Sequence, residues 1–189
     1  MPIPVFSAST LRSVLRGRSS ATDNVPALLP DELFACLARH DVRYVLIGGL
    51  AAVLHGSPLP TLDADICPSR TSDNLERLAT ALEAIDARIR TADTAEGLPL
   101  PRDPAFLARI EQVNLMTSVG DLDLSFTPSG TEGFEDLARR AVLMKIRALT
   151  IPVAALEDII RSKEAANRPK DHRMLPLLRQ LAEEIGKRA

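Results

Sequence analysis

At 189 residues, of which 46% are hydrophobic, the chain is long enough to bury the core of one domain and too apolar to be intrinsically disordered. Aromatic residues make up only 3%, so we expect an aliphatic core. Two cysteines and three scattered histidines exclude a disulfide scaffold and a zinc site of ordinary spacing, and no apolar run is long enough to span a membrane. We therefore expect a cytoplasmic protein without a membrane partner.

The net charge of −2 conceals an uneven distribution. Three bases against one acid give +2 in residues 1–30, eight against eighteen give −10 in 31–138, and twelve against six give +6 in 139–189. An acidic middle that can gather cations, followed by a basic end, is typical of an enzyme with a polyanionic partner. The alternative is that the basic helices only solvate one face.

Residues 1–30 predict an arm that is mobile or lightly docked. The segment holds four prolines and an Arg/Ser-rich run. Leu11, Val14 and Leu15 share a helical face, which indicates a short helix near residues 8–17.

The rest of the chain alternates between patterns typical of helices and of strands. Helices are predicted from Pro30, after Gly48-Gly49, at 73–86 with Ser72 as the N-cap, at 133–139, and over 156–189 with a break before Pro169. Strands are predicted at 44–47, around Asp63 and Asp65, and at 88–91, 111–119, 121–127, 141–146 and 148–154. The segment at 94–104 is predicted to be a loop. This order predicts an α/β (α+β) fold with a small, mixed, twisted sheet, flanking helices and C-terminal helices.

The pair Gly48-Gly49 lies between the strand at 44–47 and a short Ala-rich helix. Two residues without a Cβ at a helix N-terminus leave backbone N–H groups free to hold a phosphate. We therefore interpret Gly48 and Gly49 as nucleotide-binding residues, with a plain strand-to-helix turn as the alternative.

Asp63 and Asp65 alternate along one strand among apolar residues. Side chains two apart share a face and lie about 6–7 Å apart, so two like charges there repel each other unless a cation lies between them. This pattern predicts a Mg²⁺ site, and a solvated edge strand is the alternative. On the later strand Asp123 lies between apolar residues, whereas Asp121 lies next to the turn at Gly120. We expect Asp123 to be the third ligand and the general base.

Lys163 lies on the apolar stripe formed by Leu156, Ile159 and Ile160 of the helix after residue 155. A lysine there needs an anion, and the candidates are a triphosphate or the aspartate cluster before substrate binds. The alternative is a lysine whose ammonium reaches solvent from the edge of the stripe.

Three further residues are candidates for nucleotide binding. Ser72 follows the aspartate strand, although its hydroxyl also suits a helix cap. Arg168 is also explained by an i,i+4 pair with Glu164, and Asp171 by the dipole of the helix that begins at Pro169.

Several of these motifs together resemble a known family. G-G, thirteen intervening residues and D-A-D is similar to the signature of the DNA polymerase β-like nucleotidyltransferases. The strings T-L-D-A-D-I (61–66), N-L-E-R-L (74–78) and S-K-E-A-A-N-R-P-K-D (162–171) narrow the resemblance to the AbiEii-type and MenT-type nucleotidyltransferases, many of which are toxins of toxin–antitoxin pairs.

The resemblance covers the chain from about Tyr44 to the C-terminus. Together with the arm at 1–30, we expect a nucleotidyltransferase core at 31–155 and helices at 156–189 that pack on the core in the same domain. The resemblance implies two Mg²⁺ ions held by Asp63, Asp65 and Asp123, an NTP donor and a tRNA 3′ end as the acceptor, and it leaves open whether a cognate antitoxin exists. Acceptors of another kind, a protein or an aminoglycoside-like molecule, stay open, as does a catalytically silent nucleotide-binding module. The sequence indicates neither the preferred NTP nor the oligomeric state.

Overall fold

The computed structural model describes residues 5–6 and 27–187. The described strands are β1 (Val5–Phe6), β2 (Tyr44–Ile47), β3 (Asp63–Pro68), β4 (Arg88–Ile89), β5 (Leu98–Pro99), β6 (Gln112–Thr117), β7 (Gly120–Ser125), β8 (Val142–Ile146) and β9 (Leu149–Val153). The described helices are α1 (Pro30–Arg39), α2 (Gly48–Leu54), α3 (Ser72–Ala84), α4 (Pro104–Arg109), α5 (Phe134–Ala138), α6 (Leu156–Ala166) and α7 (Pro169–Gly186).

All nine of these strands form one mixed sheet in the order β1-β8-β9-β2-β3-β7-β6-β4-β5. Strands β2 and β3 pair antiparallel, as do β6 and β7, β8 and β9, β4 and β6, and β4 and β5. Parallel pairing joins β3 to β7, β2 to β9 and β1 to β8. This mixed α/β architecture confirms the predicted fold class.

The core is aliphatic, as the composition predicts. Helix α1 buries Leu33, Phe34 and Leu37, and α3 buries Leu75, Leu78 and Leu82 at helical spacing against the sheet. On β3, Ala64 and Ile66 alternate with the aspartates and are fully buried on the opposite face of the strand. The strand therefore presents Asp63 and Asp65 on the face that is not filled by the core. Cys36 and Cys67 are both buried and free.

The segment between α3 and β6 is more regular than predicted. The expected loop at 94–104 contains the two-residue strand β5, and α4 begins at Pro104, where the Asp103 side chain accepts a hydrogen bond from Ala105 N. The N-cap of α3 is Thr71, so Ser72 is the first helical residue and the predicted cap is wrong by one position.

The N-terminal region has two described contacts with the sheet. Strand β1 pairs with β8 at its outer edge, and the Leu29 N–H donates to the carbonyl of Val119. Leu28 is buried, with its backbone against Gly120. The helix predicted near residues 8–17 lies outside the described residues.

Helices α6 and α7 meet at a sharp break, as predicted. Asn167 has a left-handed backbone (φ 49°), and Pro169 is the first residue of α7. This turn folds α7 back, so that its first turn faces the end of α6. No described helix is long and apolar enough to cross a membrane.

Candidate active site

Four aspartates are placed side by side by the parallel pairing of β3 with β7. In this register Asp63 lies beside Asp121 and Asp65 lies beside Asp123. Because alternate residues of a strand share a face, all four carboxylates lie on the same face of the sheet. The sequence predicted Asp63, Asp65 and Asp123 at one site, and the register adds Asp121.

Gly48 lies next to this row because Ile47, the last residue of β2, pairs with Asp65. Gly48 has φ +69°, and a Cβ at this position would overlap the Asp65 carboxylate. Glycine is therefore required both by the left-handed backbone and by the approach of the carboxylate. A hydrogen bond from the Gly49 backbone lowers the pKa of Asp65, opposing the effect of burial.

Thr61 contacts Asp63, the first aspartate of the row. Its hydroxyl donates to Asp63 Oδ1 over 2.8 Å. A Cβ on Gly49 would lie 2.6 Å from Thr61 Oγ1, so the second glycine makes room for this hydroxyl. The pair Gly48-Gly49 thus allows α2 to begin directly against Asp65 and Thr61.

Arg90, which the sequence did not indicate, bridges the two aspartates of β7. Its Nη1 contacts Asp121 Oδ2, and its Nη2 donates to Asp123 Oδ1 over 2.9 Å. The guanidinium is 32% exposed, while each aspartate side chain is 13% exposed. The second oxygen of Asp121, Oδ1, is buried without a hydrogen-bond partner in the described part of the chain.

Asp65, Asp121 and Asp123 have raised pKa values. Burial, and then the neighbouring charge of Asp63, raise the pKa of Asp65 to about 6. Burial also raises the pKa of Asp123 to about 7, because the charges of Asp65, Asp63 and Asp121 add to the burial and outweigh the opposing effect of Arg90. Burial raises the pKa of Asp121 as well. These shifts are those of a carboxylate cluster that lacks positive charge.

Lys163 is buried, with 7% of its surface exposed, so the alternative in which it reaches solvent is wrong. Its ammonium donates to Asp171 Oδ1 over 3.2 Å, and Arg168 Nε donates to Asp171 Oδ2 over 2.7 Å. The expected partner of Lys163 was the aspartate cluster, but the direct partner is Asp171 of α7. Arg168 does not pair with Glu164, which instead contacts Arg179.

A cleft connects the aspartate row to these helices. It is lined by Gly48 and Asp65 on the sheet side and by Lys163 and Arg168 on the helix side. Small hydroxyl side chains complete the lining: Ser125, Ser129, Thr131 and Ser162. The positive charges of Lys170 and Lys163 both lower the pKa of Asp65, opposing the effect of burial. The cleft thus places carboxylates opposite cationic side chains.

Ser72 is not brought to this cleft. It follows the far end of β3, where Arg43 Nη2 donates to Ser69 Oγ (3.2 Å) and Thr71 Oγ1 (3.0 Å). Arg43 immediately precedes β2, whose other end leads to Gly48. Ser72 therefore lies at the opposite end of these strands from the aspartate row.

The donor set of the row suits a hard divalent cation. Carboxylate oxygens are the ligands that Mg²⁺ prefers, and the raised pKa values of Asp65 and Asp123 show a deficit of positive charge. Among residues 27–187, however, no three Asp, Glu, His or Cys side chains stand close enough together to hold a metal ion. The two carboxylates of β7 are turned to Arg90, which leaves Asp63 and Asp65 as the pair with no cationic partner.

Comparison with known proteins agrees with this architecture. Neither the protein-family models nor the curated protein sequences contain a match to the chain. Among solved structures, the chain is similar to the lincosamide antibiotic adenylyltransferase LnuA in its lincomycin-bound form, with a TM-score of 0.55 and 18% identity over 82% of this chain and 99% of that one. It also matches a provisionally assigned nucleotidyltransferase from Thermotoga maritima, with a TM-score of 0.46 and 16% identity over 84% of this chain and 97% of that one.

At this level of identity the first likeness establishes the fold, and the second is too weak to carry an argument. The chain therefore has a nucleotidyltransferase fold, as the sequence resemblance implied. The narrower AbiEii-type or MenT-type assignment stays a prediction.

Proposed function

We propose that this protein is a nucleotidyltransferase that transfers NMP from an NTP to an acceptor hydroxyl and releases pyrophosphate. The observation that carries the proposal is the in-register pairing of Asp63 and Asp65 with Asp121 and Asp123 beside Gly48. A carboxylate row at the mouth of a cleft with cationic helices suits the transfer of a negatively charged group. The nucleotidyltransferase fold supports this assignment.

Asp63 and Asp65 are the residues that would hold Mg²⁺. When bound there, Mg²⁺ neutralises triphosphate charge and makes a hydroxyl a stronger nucleophile. Gly48 keeps the space in front of Asp65 free of side chain, and the Gly49 amide fixes the Asp65 carboxylate. Asp123 lies beside Asp65 on the next strand and is our candidate for the group that accepts the proton of the attacking hydroxyl.

On the opposite side of the cleft, Lys163 and Arg168 are held by the fully buried Asp171. This arrangement keeps two cationic groups at fixed positions facing Asp65. We assign Lys163 and Arg168 to the triphosphate, and Asp171 to holding them in place. Preorganised charges of this kind favour a phosphoryl transition state without paying for reorganisation during the reaction.

For the acceptor we propose the 3′ end of a tRNA, with the protein acting as the toxin of a toxin–antitoxin pair. The basic C-terminal third supports a nucleic-acid acceptor. Most of its described arginines are engaged in ion pairs, but Lys170 and Arg173 are exposed in the first turns of α7 and have no carboxylate partner within residues 27–187. Lys170 acts on Asp65, so this cationic turn adjoins the site.

A small-molecule acceptor is the second candidate. It is favoured by the likeness to an adenylyltransferase of a lincosamide antibiotic that was solved with lincomycin bound. The two candidates share the donor half-reaction and differ only in what receives the nucleotide.

Both candidates are tested by incubating the protein with Mg²⁺ and each α-labelled NTP in turn, together with total RNA, lysate protein, lincomycin or an aminoglycoside. We expect label in the tRNA fraction, and label on lincomycin or the aminoglycoside would select the second candidate. Asp65→Asn protein, purified identically, is the control. Absence of label on every acceptor, or equal label with Asp65→Asn, would contradict nucleotidyl transfer. Expression of the protein together with its neighbouring gene tests for an antitoxin.

A further inference from the structure

The four aspartates of the row differ in their hydrogen-bond and ion-pair partners. Asp63 accepts from the Thr61 hydroxyl and Asp65 from the Gly49 amide, and both partners are neutral. Neither of these aspartates forms an ion pair within the part of the chain that the structure describes. Asp121 and Asp123, in contrast, share the guanidinium of Arg90. One pair of carboxylates therefore has a built-in cation and the other has none.

The sheet fixes Arg90 in this position. Its backbone N–H donates to the Asn114 carbonyl over 2.8 Å, which continues the β4–β6 pairing by one residue. Asn114 is itself opposite Asp123 in the β6–β7 register. The rigid, planar fork of an arginine can then reach two carboxylates that alternate along β7.

We propose that Arg90 is a positioning residue that acts as the resident cation of Asp121 and Asp123, so that in the nucleotide-free protein a divalent cation enters only at Asp63 and Asp65. This inference rests on the proposed function for the identity of the metal site. It adds a condition to the expectation that Asp123 is the third metal ligand. A second ion can reach Asp123 only after the Arg90 fork has released it, and a bound triphosphate offers Arg90 the anion it needs to do so.

The experiment counts Mn²⁺ ions bound to the nucleotide-free protein by electron paramagnetic resonance, in which bound Mn²⁺ loses the signal of the free ion. We expect one ion in the wild type, and Asp65→Asn should weaken its binding by about tenfold or more, which corresponds to 1.4 kcal/mol or more. Arg90→Gln should bind a second ion, which persists in the Arg90→Gln/Asp65→Asn double variant. Arg90→Lys, which retains a cation, should restore the wild-type count.

Arg88→Gln is the matched control. Arg88 lies two residues earlier, on β4, but its guanidinium donates to the carbonyls of Glu96 (2.6 Å) and Gly97 (3.0 Å) and not to a carboxylate. This variant removes the same charge and should leave the Mn²⁺ count unchanged. Thermal melting of every variant verifies that it is folded.

Three outcomes would overturn the assignment of Arg90: two ions in the wild type, no additional ion in folded Arg90→Gln, or an equal gain in Arg88→Gln. The nucleotide-transfer assay is a separate readout. Loss of the proposed function would appear there as absent transfer with the expected Mn²⁺ counts, whereas failure of the Arg90 assignment would appear as altered counts in an enzyme that still transfers nucleotide.

Discussion

Asp65 and Asp171 lie on the two sides of one cleft, and the charge of Lys163 acts on both of them. Burial disfavours the ionised form of both aspartates, but the net effect on the pKa differs between them. Burial raises the pKa of Asp65 to about 6, whereas at Asp171 the bonds from Arg168 and Lys163 overcome burial and the pKa is lowered.

The difference between these aspartates is the supply of positive charge. Asp171 has two cationic donors of its own, so it behaves as part of the framework that joins α6 to α7. Asp65 has a backbone amide and a second carboxylate as its neighbours. A cluster that leaves its charge unpaired is costly for folding and is suited to binding an external cation.

Replacing each aspartate with asparagine should show the largest difference between the two sites. Asp171→Asn leaves the buried Lys163 without its anion, so we expect the free energy of unfolding to fall by about 3–5 kcal/mol. Asp65→Asn removes like-charge repulsion, so its stability should be equal to or above that of the wild type, while nucleotide transfer falls by about a thousandfold. Urea unfolding and the transfer assay measure the two effects. Equal loss of stability in both variants would show that the two sites do not differ as described.

Lys163→Met tests the cationic side of the cleft. It retains the packing of the stem and removes the ammonium, while Arg168 still pairs with Asp171. We expect NTP binding, measured by calorimetry, to weaken by about 1.5–3 kcal/mol, the value of a charge-assisted contact. Stability should fall by less than in Asp171→Asn. Lys187→Met is the control, because Lys187 is exposed at the end of α7. Unchanged NTP affinity in Lys163→Met would make the lysine purely structural.

Gly48→Ala tests the close approach of Asp65 to Gly48 on the sheet side of the cleft. The added Cβ meets the Asp65 carboxylate and the backbone has φ +69°, so we expect a loss of about 1–3 kcal/mol in stability together with loss of transfer. Gly186→Ala is the matched control, since a Cβ there has nothing within 4 Å. Its effect should lie within about 0.5 kcal/mol. An active, stable Gly48→Ala protein would contradict the close approach of Asp65.

A further prediction concerns the pH dependence of stability. The pKa values of Asp65 and Asp123, about 6 and about 7 in the folded protein, lie above the ordinary 3.8, so the folded state binds these protons more tightly. Their contribution to stability is complete below about pH 4 and is lost as the pH rises through 6 and 7. In EDTA, the melting temperature should therefore fall between pH 5 and pH 8. Asp123→Asn should reduce this slope, and an unchanged slope would mean that Asp123 does not titrate here.

The sequence was sufficient for the parts of the site that carry a local signal. Alternation fixed the shared face of Asp63 and Asp65, and helical spacing identified Lys163 as a lysine at a core position. The helix break before Pro169 followed from the conformational preference of proline. Each of these signals arises from neighbours within a few residues, which is why the pattern was sufficient.

The ion-pair partners of Arg90 and Arg168 could not be predicted from the sequence in the same way. Arg90 follows a strand of only two residues, and its carboxylates lie on a strand that is distant in sequence. A signal did exist, since Arg88 and Arg90 alternate and would face the aspartates if β4 were known to pair with β6. Helical spacing offered Glu164 as the alternative explanation of Arg168, but the turn at Asn167 places Arg168 against Asp171.

The parallel pairing of β3 with β7 joins segments that are distant in sequence, and this determines when the site can form during folding. The β2–β3 and β6–β7 antiparallel pairs each close a much shorter loop, so we expect them to form early. The aspartate row lies where the β2–β3 pair and the β6–β7 pair come together. Repulsion between its carboxylates opposes this association. A chain that is still leaving the ribosome before β7 has been made lacks Asp121 and Asp123 and therefore cannot form the aspartate row.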